Sequence, residues 1–136
     1  MSSSSENETL YVEKDLDLVS ARKKIREYAQ RMHFGLVHQT KLITAASELI
    51  RNMIEHAGGG QIKIRKVSRK GRQGLELVFA DRGPGIEDIQ LAMKDGYSTG
   101  NGMGLGLPGA SRLVNEFNIT SVPGKGTTVT ILMWKG

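Results

Sequence analysis

Apolar residues recur along this chain with two different periods. Leu18, Ala21, Ile25, Tyr28, Ala29 and Met32 fall three or four apart, the spacing of one face of an α-helix. Asp15 or Asp17 can cap its start, and Gly35 ends it. A longer stripe, Leu42, Ala45, Ala46, Leu49, Ile50, Met53, Ile54 and Ala57, predicts a second helix over 39–57, stopped by Gly58-Gly59-Gly60. Around these helices the period falls to two. Leu10 and Val12 alternate with polar neighbours and predict a short strand over 9–13. Ile62, Ile64 and Val67 predict a strand over 61–67, and 75–80 reads as another. The polar, glycine-containing connection 68–74 makes that pair a β-hairpin.

Asp81-Arg82-Gly83-Pro84-Gly85 breaks the strand sharply. A short helix is expected around 87–94, followed by a stretch rich in glycine, serine and threonine over 96–106. Pro108 suits the first turn of a further helix that carries Ala110, Leu113, Val114 and Phe117 on one face. Strands over 118–122 and 127–134 then flank the turn Pro123-Gly124-Lys125-Gly126. The order predicts one domain over 8–136, a mixed sheet covered on one face by helices, preceded by a disordered tail over 1–7.

Composition narrows the function classes. The 136 residues allow a core without staples, and the absence of cysteine excludes disulfides and cysteine-based zinc sites. His33, His38 and His56 are not spaced as metal ligands and read as surface or boundary residues. The first residues lack the basic-then-apolar order of a signal peptide, and no run spans a bilayer. A cytoplasmic protein without membrane contact is expected. The net charge of +5 gathers in Arg22, Lys23, Lys24 and Arg26, and in Arg65, Lys66, Arg69, Lys70 and Arg72. No aromatic residues interleave with these charges, so a nucleic-acid stacking surface is not expected.

Three features carry candidate chemistry. Glu48 and Asn52 are four apart and share a helix face. A carboxylate beside an amide can hold hydrated Mg²⁺ and polarise a hydroxyl, although such a pair also suits an ordinary exposed helix. Asp81 stands at a strand end before Gly83 and Gly85. An ionised Asp accepts hydrogen bonds and cannot donate them, which favours the exocyclic amine of adenine over the carbonyl of guanine. A plain tight turn would use the same residues. Gly100, Gly102, Gly104 and Gly106 run into a helix start at Leu107-Pro108-Gly109, where backbone N–H groups can surround phosphates. Two apparent motifs fail. Gly104, Gly106 and Gly109 match the dinucleotide pattern, but a loop precedes them and no acid follows Glu116. Gly124-Lys125-Gly126-Thr127 lacks the Ser or Thr that a P-loop needs after its lysine.

In order and spacing, the series resembles the GHKL ATP-binding family of gyrase, the ninety-class heat-shock chaperone, histidine kinases and MutL. Glu48-x-x-x-Asn52 is similar to its N box, Asp81-x-Gly83-x-Gly85 to its G1 box, and Gly102-x-Gly104-x-Gly106-Leu107 to its G2 box after a loop that would be the ATP lid. Gly126-Thr127 is similar to the last element, whose Thr helps hold the adenine side. The resemblance covers roughly 8–135. It extends to the anti-sigma regulatory serine/threonine kinases, and within them to the RsbT-like stressosome switch kinases, through Ala46-Ser47-Glu48-Leu49-Ile50-Arg51-Asn52, Asp95-Gly96-Tyr97-Ser98-Thr99 and Gly102-Met103-Gly104-Leu105-Gly106-Leu107-Pro108-Gly109.

The resemblance implies an α+β, Bergerat-type two-layer sandwich, with a mixed and mostly antiparallel sheet, that binds ATP or ADP with Mg²⁺. It implies that Asn52 holds the Mg²⁺ bridging the phosphates and that Asp81 reads adenine, with Gly83 and Gly85 beside the base. Thr127 would assist through a water, Gly102, Gly104, Gly106 and Leu107 would form the phosphate loop, and Glu48 would orient or deprotonate the incoming hydroxyl. The implied substrate is a serine or threonine of a STAS-domain stressosome protein. The freed kinase would then switch on a downstream enzyme such as a PP2C-type phosphatase. The basic first helix, with Arg22 and Lys23, could dock an acidic partner. The alternative is an anti-sigma factor that binds a sigma subunit and phosphorylates its anti-anti-sigma antagonist. A gyrase-type machine would need a transducer domain, and a histidine kinase would need a helix pair presenting its phosphoacceptor.

Overall fold

The computed structural model describes residues 2–94 and 106–136, with the backbone alone for 2–7. Among these residues five strands, β1 (Ser2–Val12), β2 (Gly60–Arg69), β3 (Arg72–Ala80), β4 (Glu116–Val122) and β5 (Gly126–Trp134), form one sheet in the order β1-β2-β3-β5-β4. Every described pairing is antiparallel, so the parallel component expected of a mixed sheet does not occur among the described residues. Among the described residues four helices accompany the sheet: α1 (Asp15–Arg31), α2 (Leu36–Ala57), α3 (Ile89–Ala92) and α4 (Leu107–Leu113).

Strand alternation decides which face is covered. Ile62 and Ile64 of β2, Leu75, Leu77 and Phe79 of β3, and Val129 and Ile131 of β5 share one core with Ile25, Leu42 and Ile50 of the helices. Residues two apart point the same way, so the helices cover a single face of the sheet. The other face carries a separate cluster of Val67, Leu132 and Trp134. The guanidiniums of Arg69 and Arg72 lie over the Trp134 ring, 5.2 and 4.6 Å from its centroid.

Several boundaries differ from the sequence reading. The backbone expected as a tail pairs with β2 from Ser2↔Arg69 to Ser5↔Lys66, with a bulge before Glu8↔Ile64. Because β2 runs on to Arg69, its open edge supplies ladder partners that a polar sequence does not advertise. Asp15 and Asp17 lie inside α1 rather than before it. The Asp17 carboxylate reaches back to accept the N–H groups of Glu13 at 2.9 Å and Lys14 at 3.0 Å. These bonds to Lys14 and Glu13 hold its carboxyl below the usual aspartate value. His33, at φ 62°, takes the left-handed position after α1, and Gly35 instead caps α2 in an extended conformation. α2 begins three residues before the expected start because its first residues, Leu36 and Val37, face solvent and add nothing to the apolar stripe.

The β2–β3 connection shrinks to Lys70-Gly71, both at positive φ, a two-residue turn whose twist matches the strands. The helix expected to carry Val114 and Phe117 ends at Leu113, and Phe117 belongs to β4 opposite Ile131. Asn115 enforces that end. Its N–H donates to the Leu132 carbonyl at 3.0 Å, and its Oδ1 accepts from the Trp134 N–H at 2.8 Å.

Candidate functional site

The sheet, α2 and α4 leave a cleft where β3 ends. It spans about 690 Å³ of empty space, the adjoining open solvent included. Its apolar wall includes Leu49, Met53, Phe79, Leu107, Ile119 and Val129. Its polar lining is sparse: Asn52 and His56 from α2, Asp81 after β3, and Thr127 from β5. A mostly apolar cleft with a few polar groups suits an apolar ligand body fixed by a small number of hydrogen bonds.

Asp81 is fixed by backbone donors from two directions. Its Oδ1 accepts the Gly83 N–H at 2.9 Å and the Thr127 N–H at 3.2 Å. Both described hydrogen bonds of the carboxylate fall on this one oxygen, and Asp81 itself lines the cleft. The Asp81 N–H donates to the Thr127 carbonyl at 2.9 Å, so the strand end and β5 hold each other in register.

The turn after Asp81 needs its glycines for close approach. A Cβ on Gly83 would lie 2.5 Å from Cβ of Ala57 on α2, and Gly85 sits at φ 77° with its Cα side against the Val122 carbonyl. Gly85 lines the cleft with Pro84 and Ile86, whereas Gly83 sits behind it against α2. The Pro84 carbonyl accepts the Gly124 N–H at 2.7 Å, tying this turn to the β4–β5 turn.

Glu48 and Asn52 occupy successive turns of α2. Asn52 lines the cleft, and Glu48 stands outside the lining residues. Glu48 Oε1 accepts from Arg51 Nη1 at 3.2 Å, and both side chains remain over two-fifths exposed. Its second oxygen rests on Gly106, where an added Cβ would lie 2.7 Å from Oε2. Gly106, at φ 66°, is the residue before α4, so Glu48 meets the start of that helix. Leu107 is buried there and lines the cleft. Gly102 and Gly104 lie outside the described residues, as does Asp95-Gly96-Tyr97-Ser98-Thr99.

The structure therefore brings Asn52, Asp81, Gly85, Leu107 and Thr127 to one cleft, with Gly83, Gly106 and Glu48 adjoining it. Two residues escaped the sequence reading. His56 lines the cleft, one turn beyond Asn52 on the face that carries Glu48. Its spacing of four and eight from those two residues was the available signal. Ser121 lies behind Thr127, its Oγ 2.8 Å from Thr127 Oγ1. Only the β4–β5 register, Ser121↔Thr127, reveals that neighbour.

The chemistry of the donor set fits a nucleoside triphosphate. Acceptor-only Asp81 and the Thr127 hydroxyl share one end of the cleft, and Asn52 offers an oxygen on the α2 side. Among the described residues no cluster of three His, Cys, Asp or Glu could hold a metal ion by itself. A magnesium ion held mostly by phosphate oxygens, with one protein oxygen added, suits that set.

Comparison with known proteins agrees with this geometry. The profile of the histidine kinase-, DNA gyrase B-, and HSP90-like ATPases matches residues 37–135. A serine/threonine-protein kinase RsbT from Bacillus subtilis is 47% identical over 118 residues, 87% of this chain and 89% of that protein. An anti-sigma F factor from Caldanaerobacter subterraneus is 30% identical over 122 residues, 85% of this chain and 84% of its own. An anti-sigma F factor from Thermoanaerobacter is 28% identical over 85% of this chain. The cleft, its acceptor aspartate and this profile match together place the chain in the family of histidine kinase-, DNA gyrase B-, and HSP90-like ATPases.

Proposed function

We propose that this chain is an ATP-dependent protein serine/threonine kinase that works as a switch in bacterial stress signalling. The observation that carries the reading is Asp81: two backbone N–H groups occupy its Oδ1, while the residue lines a mostly apolar cleft and keeps a second, acceptor-only carboxylate oxygen. The 47% identity to a serine/threonine kinase over most of both chains supports the choice of protein hydroxyls as acceptors.

In this reading the adenine amine donates to Asp81, Gly85 flanks the base, Gly83 stands behind it and holds Asp81 through its N–H, and Thr127 completes the edge. Gly102, Gly104, Gly106 and Leu107 wrap the phosphates. Asn52 would hold a Mg²⁺ ion, which would supply neutralisation of phosphate charge. Glu48 accepts the proton of the incoming hydroxyl, held by Arg51 on one side and by Gly106 on the other. Phosphoryl transfer needs mainly alignment and charge neutralisation, so this short set of groups suffices.

The acceptor is a serine or threonine of a STAS-domain protein of a stressosome, in the cytoplasm. After transfer the kinase is released and activates a downstream enzyme such as a PP2C-type phosphatase. Among the described residues no helix is long and apolar enough to cross a membrane. The test is transfer from γ-labelled ATP with Mg²⁺ to purified STAS-domain proteins of the same genome. Label on a serine or threonine supports the switch-kinase reading, and nucleotide binding without any labelled STAS protein contradicts it. The similarity to anti-sigma F factors keeps a second reading, a protein that binds a sigma subunit and phosphorylates its antagonist. Co-purification with a sigma factor would favour that alternative.

A further inference from the structure

The basic cluster Arg65, Lys66, Arg69, Lys70 and Arg72 takes no part in the nucleotide cleft. The β2–β3 hairpin gathers it at the end of the sheet far from Asp81, where Arg69 pairs with Arg72 across the Lys70-Gly71 turn. Lys135 joins it just after β5, where its N–H donates to the Gln73 carbonyl at 2.8 Å. Arg72, Gln73 and Lys135 line one open depression there.

Among the described side chains two carboxylates share this sheet face, and both are engaged. Glu76 stands opposite Arg65 and accepts from its Nε at 2.9 Å. Glu116 accepts from Arg69 Nη1 at 3.1 Å. Among the described residues Lys70, Arg72 and Lys135 have no carboxylate partner.

Arg72 is nevertheless held in place. Its guanidinium lies 4.6 Å from the Trp134 ring centroid. The indole rests on the bare backbone of Gly74, where an added Cβ would lie 2.8 Å from Cε3, and the Trp134 N–H is fixed by Asn115 Oδ1 at 2.8 Å. Covering Trp134, which is 6% exposed, accounts for an arginine stem at this position. It does not account for three uncompensated cations at one corner, which repel one another until a counter-charge arrives. A guanidinium pinned over a ring has already lost much of the rotamer freedom that a partner would have to remove, and its N–H fork matches a carboxylate.

We propose that this corner, centred on Arg72 over Trp134, docks an acidic segment of a partner protein. Clustered Asp and Glu side chains fit it better than a nucleic acid, because the one indole is covered and leaves no open ring for a base to stack on. Six residues of β3 separate Gly74, beneath Trp134, from Ala80 at the cleft end, roughly 20 Å. A partner seated here therefore leaves the cleft open, and the docking is independent of the nucleotide reading.

The experiment titrates a labelled octaglutamate peptide into the wild-type chain, R72Q, K70Q/K135Q and K23Q/R26Q at low ionic strength, where screening is weak. Peptide anisotropy reports binding, Trp134 emission reports its place, and circular dichroism confirms that each variant is folded. Wild type and K23Q/R26Q should bind alike, with a change in Trp134 emission. R72Q should bind at least about tenfold more weakly, the size of a charge-assisted hydrogen bond, and K70Q/K135Q should weaken binding while leaving the arginine over its ring. If K23Q/R26Q loses as much affinity as R72Q, binding follows net charge alone and the proposal is overturned. Binding without a change in Trp134 emission, or no binding by wild type, also overturns it. An oligonucleotide of equal charge that binds more tightly than the peptide, with the same dependence on Arg72, overturns the assignment to an acidic protein segment.

Discussion

Glu48 shows how much a single residue's surroundings add to its chemistry. Its carboxylate is not buried; it is held between Arg51 and the bare backbone of Gly106. On the proposed reading, E48Q keeps the shape and removes the proton acceptor. Transfer should slow by about 10²–10⁴-fold, the usual contribution of general-base catalysis, while ATP affinity stays unchanged. Rapid-quench transfer alongside equilibrium binding separates the two effects, and a parallel loss of both would take Glu48 out of that role. The spacing of Glu48 and Asn52, and the Asp81 turn, were legible because helix period and turn chemistry act over a few residues. Ser121 and His56 were not. Ser121 meets Thr127 only through hairpin register, and His56 becomes part of the cleft only once β3 and α4 face α2.

At the scale of elements, the start of α1 carries its own pH dependence. Asp17 accepts two backbone N–H groups, and its carboxyl is held below the usual value by those bonds. A lowered folded-state pKa contributes stability above the unfolded-state value and loses it as pH falls through the folded value. The melting temperature of D17N should therefore lie below wild type at neutral pH, and the gap should close on acidification below the ordinary aspartate range. Melting curves across that range check it; a gap that persists in acid would contradict the assignment. The helices and inner strands were legible because their apolar stripes are long. The ends were not, for local reasons. Leu36 and Val37 open α2 facing solvent, Lys70 occupies a left-handed turn position that Asn or Asp would have signalled, and Phe117 mimics helical spacing while its strand pairs with β5.

Across the whole molecule, the sheet separates stability from the cleft. Ile64 is fully buried on β2 against the helices and does not line the cleft. I64A should cost about 2–5 kcal/mol of unfolding free energy in denaturant titration, while ATP affinity changes by less than about twofold because distant sites act independently. Trp134, the one tryptophan, lies under Arg69 and Arg72 on the opposite sheet face. Its strand partner Gly74 is six residues along β3 from Ala80, roughly 20 Å from the cleft end. Its fluorescence should report global unfolding and stay unchanged on adding ATP; a nucleotide-dependent change would show that the outer face moves with the cleft.

The central claim is that Asp81 reads adenine. The measurement that tests it most directly is equilibrium binding of ATP and GTP to the wild-type chain and to D81N. Asn can still accept the Gly83 and Thr127 N–H groups through its oxygen, but it then turns an NH₂ group toward the adenine amine. The account predicts that wild type prefers ATP to GTP and that D81N, with its fold intact by circular dichroism, loses more than about a hundredfold in ATP affinity, as expected where a site's hydrogen-bonding edge is mismatched. A folded D81N that binds ATP as tightly as wild type would contradict it.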